Sequence, residues 1–376
     1  MALAEARPEE SGCFFEEKAA WRSKQRAPKK EHCNAIKRED PRQSCFNDPR
    51  PDNEPSGSSA VTSHHLPASP QTVSFGIFDA AIPPVLTIAS GDTVTVQTVS
   101  GGSLDLAQVP FEVPAALRDI QEEKLPRIGP HILTGPIAIA GSMPGDMLEV
   151  RIDAVEPGAD WGWTAVLPML GTLPQEYFLR DISFIGVDRE ARTAQLPWGP
   201  ALTLSPFFGV MGVAPAPVLG PLSSKEPRSF GGNLDNKELV AGSTLFLPVF
   251  TPGANFFVGD GHGMQGDGEV CITALEMCLT GTFTFILHQH TDPGLKSFSY
   301  PRAETPTHFI SMGMHEDLDE AMRIALREMI AFICTRSDMT PVEAYKTCSL
   351  AVDFHVTQTV NGEKGVHGML RKGLVF

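Results

Sequence analysis

A chain of 376 residues with 42% hydrophobic and 20% charged side chains can bury a large core, and 34 glycines with 32 prolines favour turn-rich strands over long helices. The net charge of −15 falls wholly beyond residue 60, because residues 1–60 hold 11 acidic and 11 basic side chains. An acidic body without a Lys/Arg stripe argues against nucleic-acid and anionic-membrane partners, and no run of 18 apolar residues, signal-like segment or CxxC pair occurs, so the chain reads as cytoplasmic.

Residues 1–63 are charged and Pro/Ser-rich, with stretches such as RSKQRAPKK and NDPRPDNEPSGSS, and are expected to form a disordered extension. The remainder, 64–376, divides by texture into a β-rich part at 64–155, a small β part at 156–220, a β core at 221–300 and an α/β part at 301–376. In the first part, Gly91-Asp92 and Gly145-Asp146 turns launch alternating β-branched strands, Thr93–Val99 and Met147–Val155. Trp161, Trp163 and Trp198 among many prolines mark the second as irregular β or a small barrel. In the third, GSTLFLPVF (242–250) reads as a buried strand, and Glu269–Glu276 and Gly281–His288 as two more. Helix enters late. Leu318, Met322, Ala325, Met329 and Ile333 recur at helical spacing within Glu316–Arg336, and Thr340, Pro341 and Glu343 spell a capping box with a proline start. The fold class is β-dominated with a C-terminal α/β portion.

Polar residues are densest in Gly231-Gly-Asn-Leu-Asp-Asn-Lys-Glu238 and Gly259-Asp-Gly-His-Gly-Met-Gln-Gly-Asp-Gly-Glu269. In extended chain, residues two apart share a side, so Asp260 converges with His262, and Asp267, Glu269 and Cys271 with one another. The intervening glycines let the backbone bend these groups around a small volume suited to a metal or to proton transfer, and a flexible polar turn is the plain alternative. Gly261–Gly266 matches GxGxxG but leads into GDGEV rather than a helix, so it is no dinucleotide site, and no EF-hand, P-loop or HExxH spacing is present. Cys271 could act as a thiol nucleophile with Glu269 and Lys237, although in EVCITALE a small buried cysteine is the usual occupant. Ser223-Ser224-Lys225 reads as loop. His131 in GPHILTGP and His308 in TPTHFISMG stand beside apolar residues, as core histidines do. Asp353, Gln358 and Asn361 of DFHVTQTVN line either a site or a polar strand face. Trp161, Trp163, Phe207 and Phe208 either shape an apolar pocket or fill the core.

The stretches SFGIFDAAIPPVLTIASGDTV, GPHILTGPIAIAGSMPGDMLEVRI, RSFGGNLDNKELVAGSTLFLPVF, FVGDGHGMQGDGEVCITALE and RAETPTHFISMG resemble the acetamidase/formamidase family, in order from about His64 to Lys372. The resemblance implies a β-sandwich with a smaller β-barrel-like part and an α/β portion, α+β overall, in a homo-oligomer. It implies hydrolysis of the carbon–nitrogen bond of small linear amides, such as formamide or acetamide, to a carboxylate and ammonia. Carried over by motif, Asp235, His262 and His131 are the expected metal ligands, Glu269 and Asp260 the catalytic residues, and Asn233 and His308 the substrate contacts. A mixed N/O shell puts zinc ahead of calcium or magnesium as the divalent ion, with Glu269 as general base toward a metal-activated water. Thiol-dependent hydrolysis through Cys271, and a metal-stabilised binding protein without catalysis, are the alternatives. Residues 1–63 lie outside the resemblance.

Overall fold

The computed structural model describes residues 61–291 and 298–376. The extension expected over 1–63 lies outside the described residues up to residue 60, and the first strand begins at Ser63. Nineteen strands join in one hydrogen-bonded network, with three α-helices beside it, the first of them α1 (Ala115–Glu123), among the described residues. The fold is mainly β, as the composition suggests.

Eleven strands carry the argument. They are β1 (Thr93–Gln97), β2 (Ile132–Ile139), β3 (Met147–Val166), β4 (Asp181–Asp188), β5 (Phe207–Val213), β6 (Gly231–Asn233), β7 (Phe256–His262), β8 (Glu276–His288), β9 (His308–His315), β10 (Val352–Gln358) and β11 (Lys364–Arg371). Both Gly-Asp turns form as expected: Gly91 and Gly145 take φ of 99° and 95°, and the following aspartates accept from the amides of Ala89 and Met143. The strand launched at Met147 runs on past Val155 to Val166. It lies antiparallel to β8 from Met147 opposite His288 to Trp163 opposite Glu276, and β8 also pairs with β1.

The core is aromatic. Phe78, Phe207, Phe208, Phe256, Phe257, Phe283 and Phe285 are fully buried, and Phe256, Phe283 and Phe285 stack edge-on or tilted against one another. Phe207 and Phe208 therefore fill the core rather than a pocket. So does Trp161, whose Nε1 donates to Glu112 O at 2.9 Å. α2 (Leu318–Arg336) buries Ala321, Ala325, Met329 and Ile333 against β9 and β11, while Leu318 and Met322 are only half-buried. α3 (Pro341–Ala351) starts with the expected capping box: Thr340 Oγ1 accepts from the Glu343 amide, and Glu343 Oε2 accepts from the Thr340 amide.

One expected strand is absent. Glu269–Glu276 is a turn, because Gly268, Glu269 and Ile272 adopt φ of 95°, 43° and 79°, values that stop a ladder, and the next strand begins only at Glu276. Asp267, Glu269 and Cys271 consequently do not share a strand face.

Candidate active site

The site forms where β5, β7 and β8 meet. β5 and β7 pair with Phe208 opposite Gly261 and Val210 opposite Gly259, which sets Gly209 beside Asp260. His262, the last residue of β7, pairs with Glu276, the first of β8. Asp235 follows the short strand β6, and Glu269 sits in the turn between β7 and β8. Asp235, Asp260 and Glu269 all hold left-handed backbone, at φ of 45°, 58° and 43°. Such conformations cost energy in non-glycine residues, and their concentration on three neighbouring acids marks a place where the fold maintains strain for a purpose.

Four carboxylates, Asp235, Asp260, Glu269 and Glu276, surround the fully buried His262, and none is more than 8% exposed. His262 Nε2 stands 3.3 Å from Asp260 Oδ2 and 3.2 Å from Glu276 Oε1, with neither oxygen in line for a hydrogen bond. Gln265 fixes the imidazole. Its Nε2 donates to Asp235 O at 2.8 Å, so its Oε1 must accept from His262 Nδ1, 2.9 Å away. In the neutral ring this leaves the Nε2 lone pair facing two carboxylates, an arrangement that calls for a positive charge between them. Three further atoms of the cluster await a partner in the same way: Asp235 Oδ1, Glu269 Oε2 and, nearby, Asn233 Oδ1.

The proton affinities follow from burial and charge. Burial raises Asp235 to about 7 against the pull of His262, and does the same to Glu276. Glu269 is raised well above the usual carboxylate range by burial and by Asp235. Burial acts upward on Asp260 too, but His131 and His262 outweigh it and hold this group well below its ordinary value. His262 is the converse: burial disfavours its cation, yet Glu276 and Asp260 push its pKa well up. His131 is lowered by burial, against the pull of Asp260. His131 Nδ1 lies 2.9 Å from Ser224 Oγ, and its Nε2 3.6 Å from Asp260 Oδ2.

Two groups of three donors have the spacing of a cation site, Asp235/His262/Glu269 and Asp260/His262/Glu276. Room for an ion comes from Gly209. A Cβ there would fall 2.5 Å from Asp260 Oδ2, 2.6 Å from Asp235 Oδ1 and 2.8 Å from His262 Cε1. The cluster forms one side of a cavity of about 590 Å³ whose wall includes Asn233, His131, Asn361, Trp163, Leu104 and Leu170.

Of the expected site residues, the structure brings together Asp235, Asp260, His262, Glu269, His131 and Asn233. His131 stands behind Asp260 and outside both donor groups, whose third members are Glu269 and Glu276. His308 is not brought in: at the start of β9 it contacts Thr305 and Thr307 and pairs with Arg371. Cys271 Sγ lies beside Thr164 and Thr273, and Lys237 is engaged by Glu238 and Asp267, so the acid–lysine–cysteine arrangement is not assembled. Three participants escaped the sequence reading as site groups: Glu276 was hidden by the turn that precedes it, and Gln265 and Gly209 act on other residues. Asn361, expected to line either a site or a polar strand face, reaches the cluster from a distant hairpin. There Gln358 Oε1 accepts from the amides of Val360 and Asn361, and Asn361 Nδ2 donates to Asp235 Oδ2 at 2.5 Å.

The sequence pattern of the acetamidase/formamidase family matches residues 64–225 and 222–366. An acetamidase from Bacillus halodurans is 30% identical with a TM-score of 0.70, the match covering 82% of this chain and 97% of that one. An acetamidase from Yersinia enterocolitica is 27% identical with a TM-score of 0.73, over 85% and 94%. The acetamidase of Mycolicibacterium smegmatis is 26% identical over 198 residues, 37% of this chain and 49% of the relative.

Proposed function

The chain belongs to the acetamidase/formamidase family, amidases acting on linear amides, and we propose that its cluster of buried acids holds a divalent ion and hydrolyses primary amides there. The observation that carries this reading is the group of four buried carboxylates around one imidazole, with Asp235 Oδ1, His262 Nε2 and Glu269 Oε2 lacking partners and Gly209 leaving space beside Asp235, Asp260 and the ring. Such an excess of buried negative charge is tolerable only with protons or a cation in its midst.

Asp235 and His262 would hold the ion, which leaves Glu269 of the same donor group free as the acid–base residue, and the imidazole nitrogen keeps zinc ahead of calcium or magnesium. Bound there, it supplies Lewis-acid polarisation of the amide carbonyl and a more acidic water. The chain's own groups do the rest. Asn233 Nδ2 donates to Lys225 O, so its Oδ1 is the free acceptor in the cavity wall for an amide N–H of the substrate. Glu269, lining the same cavity with a raised pKa, takes a proton from the attacking water and delivers it to the departing nitrogen. Gln265 holds the imidazole by its Nδ1, and His131 steadies the Asp260 carboxylate.

The cavity exceeds what acetamide needs and falls within the range of roughly 300–1,000 Å³ that accepts larger ligands, so the reading extends to amides with longer acyl groups. It also takes the protein as a cytoplasmic homo-oligomer. Cys271, Cys278, Cys334 and Cys348 are free thiols, as suits a reducing compartment, and the exposed apolar side chains of Met169, Leu173, Tyr177, Phe178 and Leu179 offer a surface for a second copy. No helix among the described residues is long and apolar enough to cross a membrane. Ammonia release from formamide, acetamide and longer aliphatic amides tests the reading. Hydrolysis across the series supports it, and a chain loaded with zinc yet inert toward every amide would overturn it.

A further inference from the structure

A second group of metal-type donors lies outside the carboxylate cluster. His355 of β10 and His367 of β11 are directly opposed across the antiparallel pair, their rings stacked with centroids 5.1 Å apart and planes 11° from parallel. Asp267, from the Gly-rich turn, reaches over them, with Oδ2 3.2 Å from His355 Nδ1. One donor atom from each residue falls within 4.8 Å of the others. His367 is fully buried. Its Nδ1 is taken by Thr357 Oγ1 at 2.8 Å, so Nε2 is the nitrogen left to the cluster, and it has no partner.

A buried imidazole nitrogen without a partner is costly unless something occupies it. Burial pushes the His367 pKa down to about 3, so the ring does not become a cation at ordinary pH. Lys237 approaches Asp267 through the other oxygen, Oδ1, at 3.5 Å and is itself held at 2.9 Å by Glu238, which leaves the face of the carboxylate toward His355 open. Asp267 and His355 are about one-third exposed, a path for an ion from solvent.

We propose that Asp267, His355 and His367 form a second, distinct metal site, a two-histidine, one-carboxylate set with the preference of zinc-class ions. Its position gives it a structural task. The Gly268 amide donates to Thr357 O at 3.0 Å and the Thr359 amide to Gly268 O at 3.1 Å, sewing the Gly-rich turn to the end of β10. The next residue of that turn is Glu269, and two residues beyond Thr359 is Asn361, whose side chain reaches Asp235. An ion bridging Asp267 to the two histidines braces the segments that present Glu269 and Asn361.

The test counts ions. Wild-type protein and the His355→Asn variant, both stripped with chelator and dialysed against zinc, are compared by elemental analysis and by thermal unfolding with and without zinc. The variant is expected to retain one ion fewer per chain and to gain less in Tm from zinc, while the two stripped proteins melt together. Because the acidic cluster is common to both chains, a difference of one is expected whether or not that cluster binds metal. Equal zinc counts would overturn the proposal. Should stripped His355→Asn melt lower than stripped wild type, Asp267→Asn, at a more exposed position, decides by the same count.

Discussion

At the scale of single residues, the chemistry turns on how little freedom His262 has. Gln265 orients the ring, two carboxylates face its lone pair, and Gly209 leaves the gap between Asp260, Asp235 and the ring. Gly209→Ala is expected to place a methyl group in that gap, so zinc affinity and amide turnover both fall by an order of magnitude or more while the circular dichroism spectrum is kept; unchanged zinc binding would remove the gap from the account. Glu269→Gln leaves a neutral group of the same shape and should lower kcat by roughly 10²- to 10⁴-fold, the range for loss of a general acid–base group, with KM little altered. Normal kcat in this variant would take Glu269 out of the mechanism. Asp235, Asp260, His262 and Glu269 were legible from the sequence because they sit in two short polar motifs. Asn361 was legible only as one of two alternatives, site or polar strand face, since it lies 126 positions from Asp235 and owes its place to the turn that Gln358 holds.

At the scale of elements, strands and helices with a local cause were readable. Gly-Asp turns start Thr93–Gln97 and Met147–Val166, and Thr340 with Glu343 starts Pro341–Ala351. The end of Met147–Val166 was not readable, because what prolongs it is pairing with Glu276–His288, more than a hundred residues away. The stretch from Glu269 to Glu276 failed for the opposite reason: its alternating texture suits a strand, but left-handed backbone at Glu269 and Ile272 bends it around the site. The helix start offers a check on the fold apart from the chemistry. Thr340→Ala removes the cap and should cost about 1 kcal/mol in urea unfolding, with turnover unchanged, because α3 packs mainly on α2, β10 and β11 rather than on the strands that carry the carboxylate cluster. A neutral substitution would mean that the cap does not hold this helix start.

At the scale of the molecule, the buried acids tie stability to pH. In metal-free protein Asp235 and Glu276 keep their protons to about pH 7, against ordinary values of 3.8 and 4.5, so the native state binds more protons than the unfolded chain across that interval. Stability therefore falls as pH rises from about 4.5 to 7. His262, raised above 6.5, adds stability that is full below that value and is lost only as pH rises through its folded pKa, which acts in the same sense. Asp260, depressed, acts oppositely, but its contribution is complete above about pH 4. The urea midpoint of chelated protein should drop between pH 5 and 7.5, and zinc should restore it by replacing the protons; a midpoint independent of both would contradict a shared cation site. The most direct test of the amidase centre is ammonia release from acetamide by native, chelator-stripped and zinc-reloaded enzyme. The account expects turnover to vanish on stripping and to return on reloading, and full turnover in verified metal-free protein would contradict it.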